Sequence, residues 1–208
     1  LVSGWHVGLV LVAVPVLWAL TIAALRPRRT RPVSLVCHRA SSPQAPENTL
    51  AGVEYALHVS AAGLEIDIRA TGDGVPVLHH DGNLRRMTGV DKAVGEAAWV
   101  EVASLTQSEP GKPSVPGLSR LSDVLEMGKH TDWKIILELK DPSLYPGLAD
   151  TLVALIRRGG LANRPVLASF DQDWLLQRTE RLSPVADLAS IRVYPGSFAA
   201  TEGFSQVH

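Results

Sequence analysis

The sequence predicts an α/β chain: a βα barrel of the eight-stranded kind, represented by about six of its strands and preceded by one transmembrane helix. Three observations carry this. Short β-rich runs alternate with helical stretches from residue 33 onward, which implies βα units and a parallel sheet. No GxGxxG or GxxxxGK[ST] follows any of those runs, so a doubly wound nucleotide binder loses ground to a barrel. Residues 7–25 (VGLVLVAVPVLWALTIAAL) hold only Thr21 as a clearly polar side chain, about the length that a bilayer's hydrocarbon core needs.

Residues 1–32 therefore form one unit, a membrane helix with an arginine flank (Arg26, Arg28, Arg29, Arg31). Pro15 kinks such a helix, which membrane helices tolerate. A cleaved signal peptide would carry its positive charge before the apolar run, not after it. The positive-inside tendency places the flank, and everything after it, on the cytoplasmic side of the membrane. Residues 33–208 are the second unit. They keep 16 of the 20 basic residues and all 21 acidic ones, and so are net acidic. An acidic body lacks the clustered basic face that nucleic-acid binding requires. The single cysteine, Cys37, excludes an intramolecular disulfide framework.

Within the second unit, residues 33–38 (VSLVCH) read as a strand, 48–61 as a helix opened by Pro46-Glu47, and 63–70 (GLEIDIRA) as a strand. A turn at Gly72-Asp73-Gly74 leads into a strand over 76–80. A looser Gly- and Pro-containing region precedes a helix over 121–128, a strand over 134–140 (KIILELK) and a helix over 148–158 ended by Gly159-Gly160. Strands over 165–170 and 188–194 flank a helix over 174–182. That makes six strands where a closed barrel needs eight, and 176 residues where such a barrel takes about 250, so the expectation is a barrel unclosed within this chain.

The strand ends are polar: His38-Arg39, Glu65 and Asp67, His80-Asp81, Glu138 and Lys140. Period two in a strand puts Glu65 and Asp67 on one face, and likewise Glu138 and Lys140. In a barrel all would point into one mouth, where catalytic groups collect. Carboxylates held close cannot all stay ionised without a compensating cation, and hard oxygen ligands suit Ca²⁺ or Mg²⁺. Arg39 and Lys140 add positive charge suited to a phosphoryl substrate, and histidines can take and give its protons. Taken singly, a Glu-x-Asp is a solvated edge face, Glu138-x-Lys140 an ion pair, and His38 a core or capping histidine. The sum argues otherwise, because the charges sit within buried-strand composition (SLVCH, GLEIDI, VPVLHH, KIILELK).

In order along the chain come His38-Arg39, Pro46-Glu47-Asn48-Thr49, Glu65-x-Asp67, Thr71-x-Asp73-Gly74, Pro76-x-x-x-His80-Asp81, Leu84 and Leu137-Glu138-Leu139-Lys140. This series resembles the glycerophosphodiester phosphodiesterase family. The resemblance implies a barrel hydrolase in lipid metabolism that cleaves a glycerophosphodiester, or a lysophospholipid, to glycerol 3-phosphate or a related phosphate and an alcohol. It implies Glu65, Asp67 and Glu138 as ligands of one divalent metal, Ca²⁺ or Mg²⁺. It further implies His38 and His80 as the general acid/base pair, and Arg39 and Lys140 as phosphate-binding groups. In the family mechanism the neighbouring glycerol hydroxyl attacks phosphorus, the alcohol leaves, and water opens the cyclic phosphate. Glu47 and Asn48 are expected to hold the first loop and helix start, and His79, facing away from His80, to be structural. Ala40 stands where the family has Gly, which strains the loop if that backbone needs a positive φ. Two other readings stay open: a phospholipase D of the sphingomyelinase D type, and a non-catalytic membrane-anchored barrel remnant.

Overall fold

The computed structural model describes residues 34–161 and 165–192. The expected membrane helix and its arginine flank lie outside them. Among the described residues no helix is long and apolar enough to cross a membrane.

Five strands form a parallel wall in sequence order: β1 (Val36–Cys37), β2 (Gly63–Ala70), β6 (Lys134–Leu139), β7 (Val166–Ser169) and β8 (Asp187–Ser190). Each pairs in parallel with the next. Between consecutive wall strands run α1 (Leu50–His58), α4 (Leu121–Gly128), α5 (Leu148–Gly159), and the pair α6 (Gln172–Gln177) and α7 (Thr179–Leu182). Wall strands that follow one another without a reversal of order are the arrangement of a barrel; a doubly wound sheet reverses at a switch point.

Alternation along the strands explains the layers. All eight residues of β2 are buried. Leu64, Ile66 and Ile68 share a hydrophobic core with Ile135, Leu137, Leu139 and Leu167 of the neighbouring strands, and with Val53 and Ala56 of α1, Leu125 of α4, and Leu152 and Ile156 of α5. Each such valine, leucine or isoleucine contributes about 1.5–3 kcal/mol on full burial. The other face of β2 carries Glu65, Asp67 and Arg69.

Two expectations are corrected. The strand expected over 76–80 is β3 (Pro76–Leu78), and it runs antiparallel to β2, with Ile68 opposite Leu78 and Ala70 opposite Pro76. It is the return arm of a hairpin, so the described wall has five parallel strands where six were expected. The helix expected over 174–182 is two short ones, broken at Arg178, whose φ of −116° is not helical. The loose region contains α2 (Arg85–Thr88), α3 (Trp99–Ala103) and an antiparallel pair, β4 (Thr106–Gln107) with β5 (Val115–Pro116). These pack over a second small core of Val77, Leu84, Val94, Ala97, Val102 and Leu118.

Candidate active site

The parallel register of β2 and β6 sets Asp67 directly opposite Glu138, with Glu65 two residues earlier on the same face of β2. One carboxylate oxygen from each of Glu65, Asp67 and Glu138 lies within 4.8 Å of the others. Lys140, two residues beyond Glu138, folds back so that its Nζ lies 3.0 Å from Asp67 Oδ1 and also donates to Glu138 Oε1. The period-two expectation for both pairs thus holds in the contacts.

The turn after β1 closes the cluster from the other side. Arg39 N–H donates to Glu65 Oε2 at 2.8 Å, and the His38 ring Nε2 lies 3.7 Å from that oxygen. The His38 side chain is 76% exposed, which leaves its ring open to solvent and substrate. Arg39 Nη1 donates to Glu47 Oε2 at 3.2 Å, and its Nε lies 3.6 Å from Asp67 Oδ2. Arg39 and Ala40 both have positive φ, 54° and 46°. The departure from glycine at position 40 therefore falls where L-residues are strained. The turn is held by close packing: a Cβ on Gly52 of α1 would sit 1.8 Å from the Ala40 carbonyl oxygen, so glycine alone fits there.

Sequence reasoning gave Asn48 a loop-holding role, and the structure gives it a second one. Its Nδ2 donates to Asp67 Oδ2 at 2.8 Å, while its Oδ1 accepts from the Asp67 N–H at 3.0 Å. This two-way clasp ties one carboxylate oxygen and the backbone N–H of Asp67 to a residue that is itself buried. Asn48 does so at φ 55°, a region asparagine enters more readily than most residues.

His80 reaches the mouth by the hairpin. The N–H of His79 donates to the Asp67 carbonyl at 3.1 Å, which brings the following residue back to the level of the carboxylate cluster. His80 Nδ1 pairs with Asp81 Oδ1 at 2.7 Å, and its carbonyl accepts from Arg69 Nε at 3.0 Å. His79 faces away: it is buried, its Nε2 lies 3.3 Å from the Asn83 carbonyl, and burial pushes its pKa down, as a structural histidine requires.

The electrostatics of the cluster suit a bound cation. Burial pushes the Glu65 carboxyl up to about 7, with Asp67 and Glu138 adding to the effect and the Arg39 N–H and Lys140 opposing it. Glu65 Oε1 and Asp67 Oδ1 are buried with no hydrogen bond, although Lys140 stands near the latter as an ion pair. Buried acceptors without donors need an explanation, and a bound ion is one. The linked acids are Glu47, Glu65, Asp67, Asp81 and Glu138; the linked cations are Arg39, Arg86 and Lys140. Fully ionised, these acids outnumber the arginines and lysine, an imbalance that a bound cation offsets. An all-oxygen donor set suits Ca²⁺ or Mg²⁺. The residues present fit the metal that the sequence implied.

The glycerophosphoryl diester phosphodiesterase family matches residues 38–195. Among curated relatives, a glycerophosphodiester phosphodiesterase of Caldanaerobacter subterraneus is 28% identical over 153 residues, covering 72% of this chain and 63% of its own length. One of Bacillus subtilis is 30% identical over 166 residues, covering 72% of this chain and 56% of its own length. The chain thus spans less than two thirds of these relatives. Among solved structures, the glycerophosphodiester phosphodiesterase of Agrobacterium tumefaciens superposes with a TM-score of 0.61 at 28% identity, over 76% of this chain and 66% of that one. An Oleispira antarctica phosphodiesterase, solved in complex with the product sn-glycerol-3-phosphate, gives a TM-score of 0.66 at 26% identity, over 76% and 65%. Fold, motif order and sequence agree: the chain belongs to the glycerophosphoryl diester phosphodiesterase family.

Proposed function

We propose that this protein is a metal-dependent phosphoric diester hydrolase that cleaves glycerophosphodiesters to glycerol 3-phosphate and an alcohol. The observation that carries the reading is the Glu65, Asp67 and Glu138 cluster, closed to within 4.8 Å and bordered by His38. Glu65, Asp67 and Glu138 would hold Ca²⁺ or Mg²⁺, which when bound supplies Lewis-acid polarisation of a phosphoryl oxygen. The rest is done by the chain's own groups. His38, exposed at the edge of the cluster, exchanges a proton with a substrate hydroxyl. His80, whose Nδ1 is engaged by Asp81, has Nε2 left to act as the opposite partner toward the leaving oxygen. Arg39 and Lys140, already drawn in by the site's carboxylates, supply fixed positive charge to the anionic diester.

The apolar residues 7–25 and the arginines after them support a membrane location, with the catalytic unit on the cytoplasmic side and lysophospholipids within reach as substrates. The test is release of glycerol 3-phosphate from glycerophosphocholine by the full chain with saturating Ca²⁺ or Mg²⁺. Release that chelation abolishes, and that Glu65→Ala reduces about a thousandfold or more, supports the reading. No release with either ion, or activity indifferent to Glu65→Ala, overturns it.

A further inference from the structure

We infer that Arg86 is a positioning residue, gripping Asp81 and Glu47 at once and so holding His80 and Arg39 in register with the carboxylate cluster. The inference rests on the proposed hydrolase reading and adds to it a residue that none of the site motifs singled out.

The contacts form one continuous chain. His80 Nδ1 meets Asp81 Oδ1 at 2.7 Å. Asp81 accepts from Arg86 twice, Nε to Oδ2 at 2.6 Å and Nη2 to Oδ1 at 3.2 Å. The same Arg86 Nη2 donates to Glu47 Oε1 at 2.5 Å, across 39 residues of sequence. Glu47 Oε2 accepts from Arg39, and the Arg39 backbone N–H donates to Glu65. One guanidinium therefore joins the hairpin that carries His80 to the loop that carries His38 and Arg39.

Arginine is the residue type for this role. Its planar fork presents donors along two edges, so it can serve two carboxylates in a fixed geometry, which a lysine ammonium on a flexible stem cannot. The short helix that bears it is anchored on both sides. Leu84 and Met87 are buried, the Met87 carbonyl accepts from the Ser108 N–H at 2.7 Å, and Gly89 closes the helix at φ 77° with its N–H on the Arg85 carbonyl.

The consequence falls on the histidine. An ionised carboxylate only accepts hydrogen bonds, so Asp81 fixes the His80 proton on Nδ1 and leaves Nε2 free for the substrate. Hydrogen bonds from Arg86, opposed by burial and reinforced by His80, hold the Asp81 carboxyl well below the usual carboxylate range. For Glu47, burial acts upward, yet Arg86 and Arg39 hold it below that range. Without Arg86, Asp81 would keep His80 and Glu47 would keep Arg39, but the link between the two acids, and the charge that offsets them beside a mouth already holding three, would be lost.

The experiment uses the full chain labelled with ¹⁵N-histidine. At about pH 8, where imidazole is ordinarily neutral, wild type should show His80 as a single Nδ1–H tautomer, and Arg86→Gln a mixture of the two. With glycerophosphocholine and saturating Ca²⁺ or Mg²⁺, Arg86→Gln should lower kcat about tenfold or more while KM moves less than about threefold. Arg86→Lys should restore charge without restoring the tautomer. Adding Asp81→Asn to Arg86→Gln should cost less than the product of the two single losses, as members of one chain do. Where Arg86→Gln melts below the assay temperature, Arg86→Lys carries the same comparison. A His80 tautomer unchanged in the variants, or kcat within about twofold of an active wild type, overturns the inference. An inactive wild type overturns the hydrolase reading instead, and the tautomer alone then decides Arg86.

Discussion

At the scale of single residues, the sequence and the structure agree most closely where a side chain's direction follows from strand period. Glu65, Asp67, Glu138 and Lys140 could be placed on inner faces by counting alternate positions, and the contacts between them follow. Asn48 and Arg86 were beyond such counting: Asp67 and Glu47 lie 19 and 39 residues away on other elements, and Asp81, five residues before Arg86, lies in a turn where no strand period applies. The Pro46-Glu47-Asn48-Thr49 string was the available signal. Asn48→Ala should cost about 2 kcal/mol by chemical denaturation, since it leaves the buried Asp67 carboxylate and N–H short of partners. It should also weaken divalent-ion binding in titration calorimetry, because the Asp67 carboxylate is no longer clasped. Ala40 is the opposite case, a residue the chain would do better without. Ala40→Gly should raise stability by about 1 kcal/mol in urea melts, by removing the left-handed strain that its φ of 46° imposes.

At the scale of elements, strands came out of the sequence more reliably than their directions. The 63–70 run was read with its observed bounds and the 134–140 run to within a residue, because both are isoleucine- and leucine-rich runs of strand length that carry an acid within a buried context. The run at 76–80 begins equally apolar, and its antiparallel direction is set by the short Thr71–Val75 turn, where the Thr71 N–H and hydroxyl and the Asp73 carboxylate hydrogen-bond locally. A connection that short can only fold a strand back on its neighbour; a parallel crossover takes a dozen residues or more. The short helices and the β4/β5 pair escaped because each is five residues or fewer and sits over its own small core, below the length at which periodicity is readable. The fit of α1 against the first turn is unforgiving. Gly52→Ala should drive a methyl into the Ala40 carbonyl, displacing His38 and Arg39 or the helix. The expected outcome is a loss of about 2 kcal/mol or more in thermal or urea unfolding, with weaker divalent-ion binding as Glu65 loses its Arg39 donor.

At the scale of the whole molecule, the acids of the site give stability a pH dependence that a bound divalent cation would modify. Glu65 is raised from 4.5 to about 7 in the folded protein without metal. The folded state then binds its proton more tightly than the unfolded one, so this contribution is present in full below 4.5 and is lost as pH rises through about 7. Asp81 has the opposite sign. Its depressed pKa gives stability above the ordinary aspartate value that is lost on acidification. Melting temperatures of chelated protein should therefore decline from about pH 5 to pH 7, and Glu65→Gln should flatten that decline. Excess Ca²⁺ or Mg²⁺ should raise the melting temperature, and by more at pH 7.5 than at pH 5.5, because the ion takes the ionised carboxylate. A decline that persists in Glu65→Gln would assign the effect elsewhere.

The hairpin of β2 and β3 bears on how the site assembles as the chain folds. Two of the three clustered acids, the second histidine and its aspartate all lie on one ribbon between Glu65 and Asp81, tied internally by cross-strand hydrogen bonds. Contacts of such short sequence separation form quickly, because little loop entropy is lost in closing them. The acidic half of the site can therefore take shape before β6 delivers Glu138 and Lys140. Substitutions in the hairpin should slow refolding more than they speed unfolding, and substitutions in β6 should do the reverse.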